Sequence, residues 1–118
     1  MAAAQVVVPV PLYPKRQKWR GYNQSELLAR AFARAVHLPV ESRCLVRVRD
    51  TAAQAKLHRQ ERLDNMAGAF AATADVRGKT VLLIDDVATT GATLEGCAQA
   101  LREGGAKRVI AYTLAREP

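Results

Sequence analysis

Short apolar runs alternate with longer amphipathic stretches along this chain of 118 residues, and the two patterns predict different elements. Five apolar runs predict strands. They lie at 6–10, 44–48, 67–72, 81–84 and 109–114. Apolar residues at helical spacing predict helices over 23–36 and 92–103, and Gly104-Gly105 ends the second. Strands alternating with helices indicate an α/β fold, which we expect to form a single domain over 1–118.

The first predicted helix carries a capping box and an apolar stripe. Asn23 and Glu26 stand three residues apart at its start, which is the spacing of the capping box. We expect one face of this helix to be buried in the core. That face consists of Leu27, Leu28, Ala31, Phe32, Ala35 and Val36.

The fourth apolar run carries the most chemistry, because two carboxylates and a hydroxyl-rich turn follow it directly. Residues 81–84 are apolar throughout, as is typical of a parallel strand buried on both faces. Ligands in such sheets bind where strands end, and Asp85 and Asp86 stand at that predicted end. The turn beyond them consists of Thr89, Thr90, Gly91, Ala92 and Thr93. Its glycine lets successive amides surround one anion at the positive end of the next helix, so the segment predicts a site for a phosphorylated sugar.

Other phosphate motifs need residues that this chain lacks. A P-loop has a lysine and a hydroxyl residue after its glycines, and a dinucleotide fold has G-x-G-x-x-G after an early strand. A phospho-acceptor receiver domain has its acidic pair near the amino terminus and the accepting aspartate downstream, whereas no aspartate follows Asp86. The turn at 89–93 contains no lysine or arginine, which favours one phosphate monoester over a triphosphate.

The segment 81–93 resembles the signature of type I phosphoribosyltransferases, which bind 5-phosphoribosyl-1-diphosphate (PRPP). Further residues, from about 6 to 116, resemble the ComF/GntX-like members of that family. They are Val8-Pro9-Val10-Pro11, Arg20-Gly21-Tyr22-Asn23-Gln24, Arg49, Thr51, Gln54, Leu57, Arg62, Asn65 and Ala69-Phe70. The resemblance implies a parallel sheet flanked by helices, with a long mobile loop between the second and third strands. Such proteins often carry an amino-terminal cysteine cluster that is absent here, so we expect a core truncated on its amino-terminal side.

The resemblance also implies roles for individual residues. Asp85 and Asp86 are implied as the catalytic carboxylates, which bind the ribose hydroxyls and meet Mg2+ through water. Residues 89–93 are implied to bind the 5-phosphate of PRPP. The implied pyrophosphate loop contains Lys15, Arg16 and Arg20. The implied mobile loop contains Arg49, Gln54, Arg62 and Asn65. The expected cofactor is therefore Mg2+ bound together with PRPP.

Positive charge is concentrated in the first half of the chain. The formal net charge is +7. Residues 15–62 carry a net +8 and the remaining residues a net −1. This distribution favours PRPP or ribose 5-phosphate as ligand, and it also fits single-stranded DNA and the competence machinery that the ComF resemblance suggests. The basic half contains few aromatic residues, namely Tyr13, Trp19 and Tyr22, so nucleic acid ranks below PRPP.

Composition and cysteine usage indicate a cytoplasmic protein with no membrane partner. No apolar run approaches the roughly 18 residues that cross a bilayer, and the first ten residues lack the features of a signal peptide. Cys44 and Cys97 have no metal-ligand spacing, which favours reduced, buried thiols over a zinc site.

The sequence therefore favours a phosphoribosyltransferase with an unidentified acceptor. The alternatives are a non-catalytic protein that senses PRPP or nucleotides, and a competence-type DNA-handling protein. Enzymes that act on 6-oxopurines resemble this motif but have an aspartate in place of Thr89, and threonine cannot take a proton near neutral pH. Hypoxanthine and guanine are therefore disfavoured. Because little chain follows residue 106, a base-binding hood would have to come from an upstream region or from the second subunit of a homodimer.

Overall fold

The computed structural model describes residues 4–11, 23–48, 68–73, 76–88 and 91–116. These residues form five strands and two helices in the order that the apolar pattern predicts. The elements are β1 (Val6–Pro9), α1 (Gln24–Val36), β2 (Leu45–Arg47), β3 (Phe70–Ala72), β4 (Thr80–Ala88), α2 (Ala92–Glu103) and β5 (Arg108–Arg116).

A parallel sheet in the order β1-β4-β5 forms the centre of the fold. Its middle strand is buried on both faces because alternate residues enter different cores. Val81 and Leu83 pack with Leu101 of α2. Ile84 packs on the opposite face with Ala29 and Ala33 of α1. The predicted α/β class, with helices flanking a parallel sheet, is therefore confirmed.

The second and third strands do not join this sheet. β2 and β3 pair antiparallel with each other, and Leu45 lies opposite Ala72. Leu45 and Phe70 are buried in the same core as Leu101 of α2, so this strand pair packs against α2 beside the parallel sheet. The predicted long mobile loop between these strands lies outside the described residues.

The start of α1 is fixed to the end of β1. The Asn23 side chain accepts a hydrogen bond from the Ser25 amide at 3.0 Å and donates one to the Val10 carbonyl at 3.1 Å. The predicted N-cap is therefore present, but Glu26 pairs with Arg30 at 3.2 Å and does not complete a capping box. These contacts aim α1 across β1 and β4.

The predicted buried face of α1 is wrong for most of its residues. The fully buried residues of the helix are Ser25, Ala29 and Ala33, whose small side chains let it approach the sheet closely. Leu28 and Phe32 are partly buried against the same core, and the other four predicted residues, at 27, 31, 35 and 36, are exposed. Leu27 is 53% exposed and Val36 is 42% exposed. The apolar arc of α1 is wider than the strip of sheet it covers.

An apolar groove lies between α1 and β5 as a result. Its volume is about 320 Å³, and it is lined by Leu28, Ala31, Phe32, Ile84, Asp85 and Tyr112. The rings of Phe32 and Tyr112 meet across it with their centroids 5.9 Å apart, and Tyr112 remains 52% exposed. Neither helix of the described chain combines the length and apolar content that would span a bilayer.

Candidate functional site

The two carboxylates lie where β1 stops but β5 continues beside β4. The pairing of β1 with β4 ends at Pro9 and Ile84, and the Val10 amide donates to the Ile84 carbonyl at 2.9 Å. The pairing with β5 continues through Asp85 to Ala88. The prediction that the strand ends at residue 84 is therefore wrong by four residues, because β5 supplies further backbone partners. Asp85 is nevertheless the first residue of β4 beyond its β1 neighbour.

Asp85 is a buried carboxylate with local donors. It is 7% exposed, and its Oδ1 accepts hydrogen bonds from the Ser25 hydroxyl and the Asp86 amide, each at 2.9 Å. Burial raises the pKa of Asp85 to about 6 because the charged form loses hydration. The Ser25 hydrogen bond opposes this shift, and the neighbouring Asp86 adds to it. The site thus holds a carboxylate that ionises at substantial energetic cost.

Ser25 is a site residue that the sequence interpretation missed. It lies in the first turn of α1, 60 positions from Asp85, and it shares the buried face with Ala29 and Ala33. The sequence does show Ser25 at four-residue spacing with Ala29 and Ala33, on one face of the helix. A serine on a buried face normally has a hydrogen-bond partner, so this pattern could have indicated a site residue. The wrong choice of buried face concealed it.

Asp86 is held through its backbone. It is partly buried, and its carbonyl accepts a hydrogen bond from the Thr113 hydroxyl of β5 at 3.3 Å. Asp86 follows Asp85 directly on β4, and its side chain adds to the upward shift of the Asp85 pKa. β5 therefore positions the second acid of the pair.

A glycine turn opens α2 a few residues further along the chain. Gly91 is the N-cap of α2 with a φ of 82°, a left-handed conformation that glycine adopts without strain. Its carbonyl accepts the first helical hydrogen bond, from the Glu95 amide at 2.9 Å. Ala92 is buried and Thr93 is partly buried in the first turn. The predicted start of the helix at residue 92 is confirmed.

The structure describes part of the predicted site. Asp85, Asp86, Gly91, Ala92 and Thr93 belong to β4 and to the start of α2. The other predicted site residues lie outside the described residues. They are Thr89, Thr90, Lys15, Arg16, Arg20, Arg49, Gln54, Arg62 and Asn65.

The carboxylate pair limits what metal the site can hold. Within the described ranges, no group of three or more histidine, cysteine, aspartate or glutamate side chains is placed to hold an ion. Two carboxylates fit Mg2+ that takes most of its ligands from phosphate oxygens and water. They do not fit a zinc site, which needs at least three protein ligands.

Residues 23–118 match the Phosphoribosyl transferase domain family. The chain belongs to that family. This match covers most of the chain and includes the acid pair, the glycine turn and Ser25. It confirms the predicted membership.

Relatives of this phosphoribosyltransferase domain include proteins named for DNA. It is 38% identical over 110 residues to the DNA utilization protein YhgH of Escherichia coli K12, covering 93% of this chain and 48% of YhgH. It is 36% identical over 115 residues to competence protein F of Haemophilus influenzae, covering 95% of this chain and 50% of that protein. The similarity to ComFC of Bacillus subtilis is 38% over 112 residues, with coverage of 94% and 44%. These names confirm the predicted ComF-like relationship. The chain spans about half the length of the curated relatives it matches.

Solved structures share the fold of this phosphoribosyltransferase domain. A glutamine PRPP amidotransferase from B. subtilis superposes with a TM-score of 0.63 at 23% identity, over 96% of this chain and 23% of that chain. A PRPP synthetase from Mycobacterium smegmatis gives 0.54 at 24% identity, over 96% and 28%. At these identities the similarity shows the fold alone.

Proposed function

We propose that this domain binds PRPP at the carboxyl end of β4 and transfers its phosphoribosyl group to an acceptor with release of pyrophosphate. One observation carries the proposal. A carboxylate with a pKa raised by burial lies on β4 just beyond the end of its β1 neighbour, a few residues before a glycine turn that opens a helix. A fold keeps such a group chiefly where a ligand uses it.

The acid pair and the start of α2 suit different parts of PRPP. Hydroxyl groups of the ribose donate to Asp85 and Asp86, and they replace the hydration that Asp85 has lost through burial. The 5-phosphate binds at the start of α2, where the helix dipole favours an anion and Gly91 brings no side-chain oxygen into the first turn. The hydroxyls of Thr89, Thr90 and Thr93 add donors for the same phosphate.

The transfer needs little covalent chemistry from the protein. The bond between the ribose C1 and the diphosphate oxygen breaks, and an acceptor lone pair forms the new bond to C1. Positive charge develops on the ribose ring as the diphosphate leaves, and the carboxylates Asp85 and Asp86 stabilise it electrostatically. Mg2+, when bound, neutralises charge on the diphosphate.

Basic loops complete the proposed site. Lys15, Arg16 and Arg20 bind the diphosphate. Arg49, Gln54, Arg62 and Asn65 belong to a loop that covers PRPP and excludes water, which prevents hydrolysis. Thr89 stands where 6-oxopurine enzymes have their aspartate, which disfavours hypoxanthine and guanine as acceptors.

Calorimetric titration with PRPP and Mg2+ tests the binding step. Asp85→Asn removes the charge and keeps the shape, and we expect its affinity for PRPP to fall at least about tenfold, which corresponds to about 1.4 kcal/mol. Glu103→Gln is the matched control, because it removes one exposed carboxylate at the other end of α2. Equal affinity of the Asp85 variant and the control would reject the site.

Pyrophosphate release tests the transfer step. The domain is incubated with PRPP, Mg2+ and a panel of nucleobases and aromatic amines, and pyrophosphate is followed over time. Release that depends on one acceptor supports transfer. Tight PRPP binding without release from any acceptor would instead support the sensing alternative.

A second candidate function is DNA handling. The names of the relatives YhgH and competence protein F favour it, since both refer to the use or uptake of DNA. Binding of single-stranded DNA by the domain in the absence of PRPP distinguishes this function from nucleotide chemistry alone.

A further inference from the structure

Two adjoining loops lie at the end of the sheet opposite the acid pair. The first loop, 76–79, leads into β4, and the second, 104–108, leads into β5. The Gly78 amide donates to the Gly105 carbonyl at 2.8 Å. The Lys107 amide donates to the Lys79 carbonyl at 2.9 Å. These backbone hydrogen bonds fix the two loops side by side.

Four cationic side chains project from these loops. Arg77, Lys107 and Arg108 are exposed, and Lys79 is partly buried. We call these four residues the basic end of the sheet. Gly105 lets the loops approach closely, since a Cβ at this position would lie 3.3 Å from Arg77 Cγ. Neither loop contains an acidic residue.

The surrounding sequence does not neutralise this charge. If Asp75 and Glu103, the residues directly before the first and second loops, are counted, the two loops still carry a net +2. Arg102 also lies nearby in sequence, but it pairs with Glu95 at 3.4 Å on the side of α2. We therefore leave it out of the basic end.

Positive and negative charge are separated along β4, although the net charge of this part of the chain is small. The chain after residue 62 has a net charge near zero, yet Lys79 precedes β4 and Asp85 lies six residues further on. At about 3.3 Å per residue, the basic end and the acid pair are about 20 Å apart. A ligand at one end does not block the other.

We propose that the basic end binds the phosphate backbone of DNA. Adjoining cations on rigid loops suit the repeated phosphates of a nucleic acid strand, because each contact releases a condensed counterion. The two loops contain no aromatic residue that would stack on bases, so binding is independent of base sequence. This inference extends the DNA-handling candidate and gives it a surface distinct from the proposed PRPP site.

Fluorescence anisotropy with labelled oligothymidylate and with a mixed-sequence duplex tests the proposal over a range of salt concentrations. The test variant replaces the four residues of the basic end by glutamine. The control variant removes the same number of positive charges elsewhere on the described surface. Its substitutions are Arg30→Gln, Arg34→Gln, Arg43→Gln and Arg102→Gln, all at exposed residues.

The salt dependence gives a quantitative expectation. Each phosphate contact on a single strand contributes about 0.7 to the slope of log affinity against log salt, so loss of four contacts lowers the slope by about 3. The control should change the slope by less than about 0.7, which is the contribution of a single contact on a single strand. A slope loss with the duplex alone would assign the surface to double-stranded DNA.

Two results would overturn the proposal. One is an equal loss of affinity in both variants, which would mean that binding follows net charge alone. The other is absence of binding to either nucleic acid by the unchanged protein. PRPP titration of the test variant separates this proposal from the previous one, because the substitutions lie far from Asp85 and should leave PRPP affinity unchanged.

Discussion

Replacing Asp85 by asparagine should stabilise the fold at neutral pH while it removes the proposed function. The ionised carboxylate is unfavourable in the folded state, since burial raises its pKa from 3.8 to about 6. Asparagine carries no charge, and its Oδ1 can still accept from Ser25 and the Asp86 amide. The new amide hydrogens can reach water because residue 85 lines the groove between α1 and β5.

The expected magnitude follows from linkage. Below pH 3.8 Asp85 is protonated in the folded and unfolded states, and its favourable contribution to folding is fully present. As the pH rises toward 6 the unfolded state ionises first, and the contribution is lost. A difference of about two pKa units is equivalent to about 3 kcal/mol above pH 7, and about half of it should be reached near pH 5.

Urea unfolding of both proteins from pH 4.5 to pH 8 measures this difference. The variant should gain stability over the unchanged protein by up to about 3 kcal/mol at pH 8, and the gain should shrink toward pH 4.5. Glu103→Gln, which replaces an exposed carboxylate, is the matched control. A gain that is the same at every pH, or a loss of stability at pH 8, would refute the reasoning.

Three further expectations concern other parts of the fold. Gly91→Ala should lower the melting temperature by about 4–8 °C through about 1 kcal/mol of backbone strain. The φ of residue 91 is 82°, and nothing lies within 4 Å of the added Cβ, so strain and not a clash is the expected cause. Asparagine tolerates this conformation, so an equal loss in Gly91→Asn would contradict strain as the cause. Cys44 and Cys97 should not react with a thiol reagent until urea unfolds the chain. Both thiols are buried, and burial raises the pKa of Cys97. Rapid labelling of the native protein would contradict this. Leu27 is 53% exposed, so Leu27→Lys should change the unfolding free energy by less than about 0.5 kcal/mol. Leu101 is 0% exposed, so Leu101→Ala should lower the unfolding free energy by about 2–5 kcal/mol. Similar losses in the two variants would contradict this difference in burial.

The order of elements could be predicted from sequence because it depends on local patterns. The run Val81–Leu82–Leu83–Ile84 is apolar at every position, which only a strand covered on both faces requires. Gly91 marks the end of the turn because few other residues adopt a positive φ. The acid pair and the start of α2 follow from the same short segment.

The contacts that define the site could not be predicted, because they depend on packing between distant segments. The apolar arc of α1 is wide, so several different faces of the helix could be buried according to the sequence pattern. The face that is buried depends on the shape of the sheet against which the helix packs. The hydrogen bond from Ser25 to Asp85 depends on that choice. The basic end was likewise hidden, since Arg77 and Lys107 lie 30 positions apart in the chain.

From the strand order β1-β4-β5 we expect β1 to join the sheet after β4 and β5 have paired. β4 and β5 flank a single helix and can pair early, whereas Thr80 meets Gln5 across a separation of 75 residues. Closing a loop of that length loses about 4 kcal/mol of chain entropy before any contact is made. Until β1 arrives, β4 presents an unpaired apolar edge, to which another unfolded chain can add. Refolding yield should therefore fall as protein concentration rises, even though the finished sheet covers that edge.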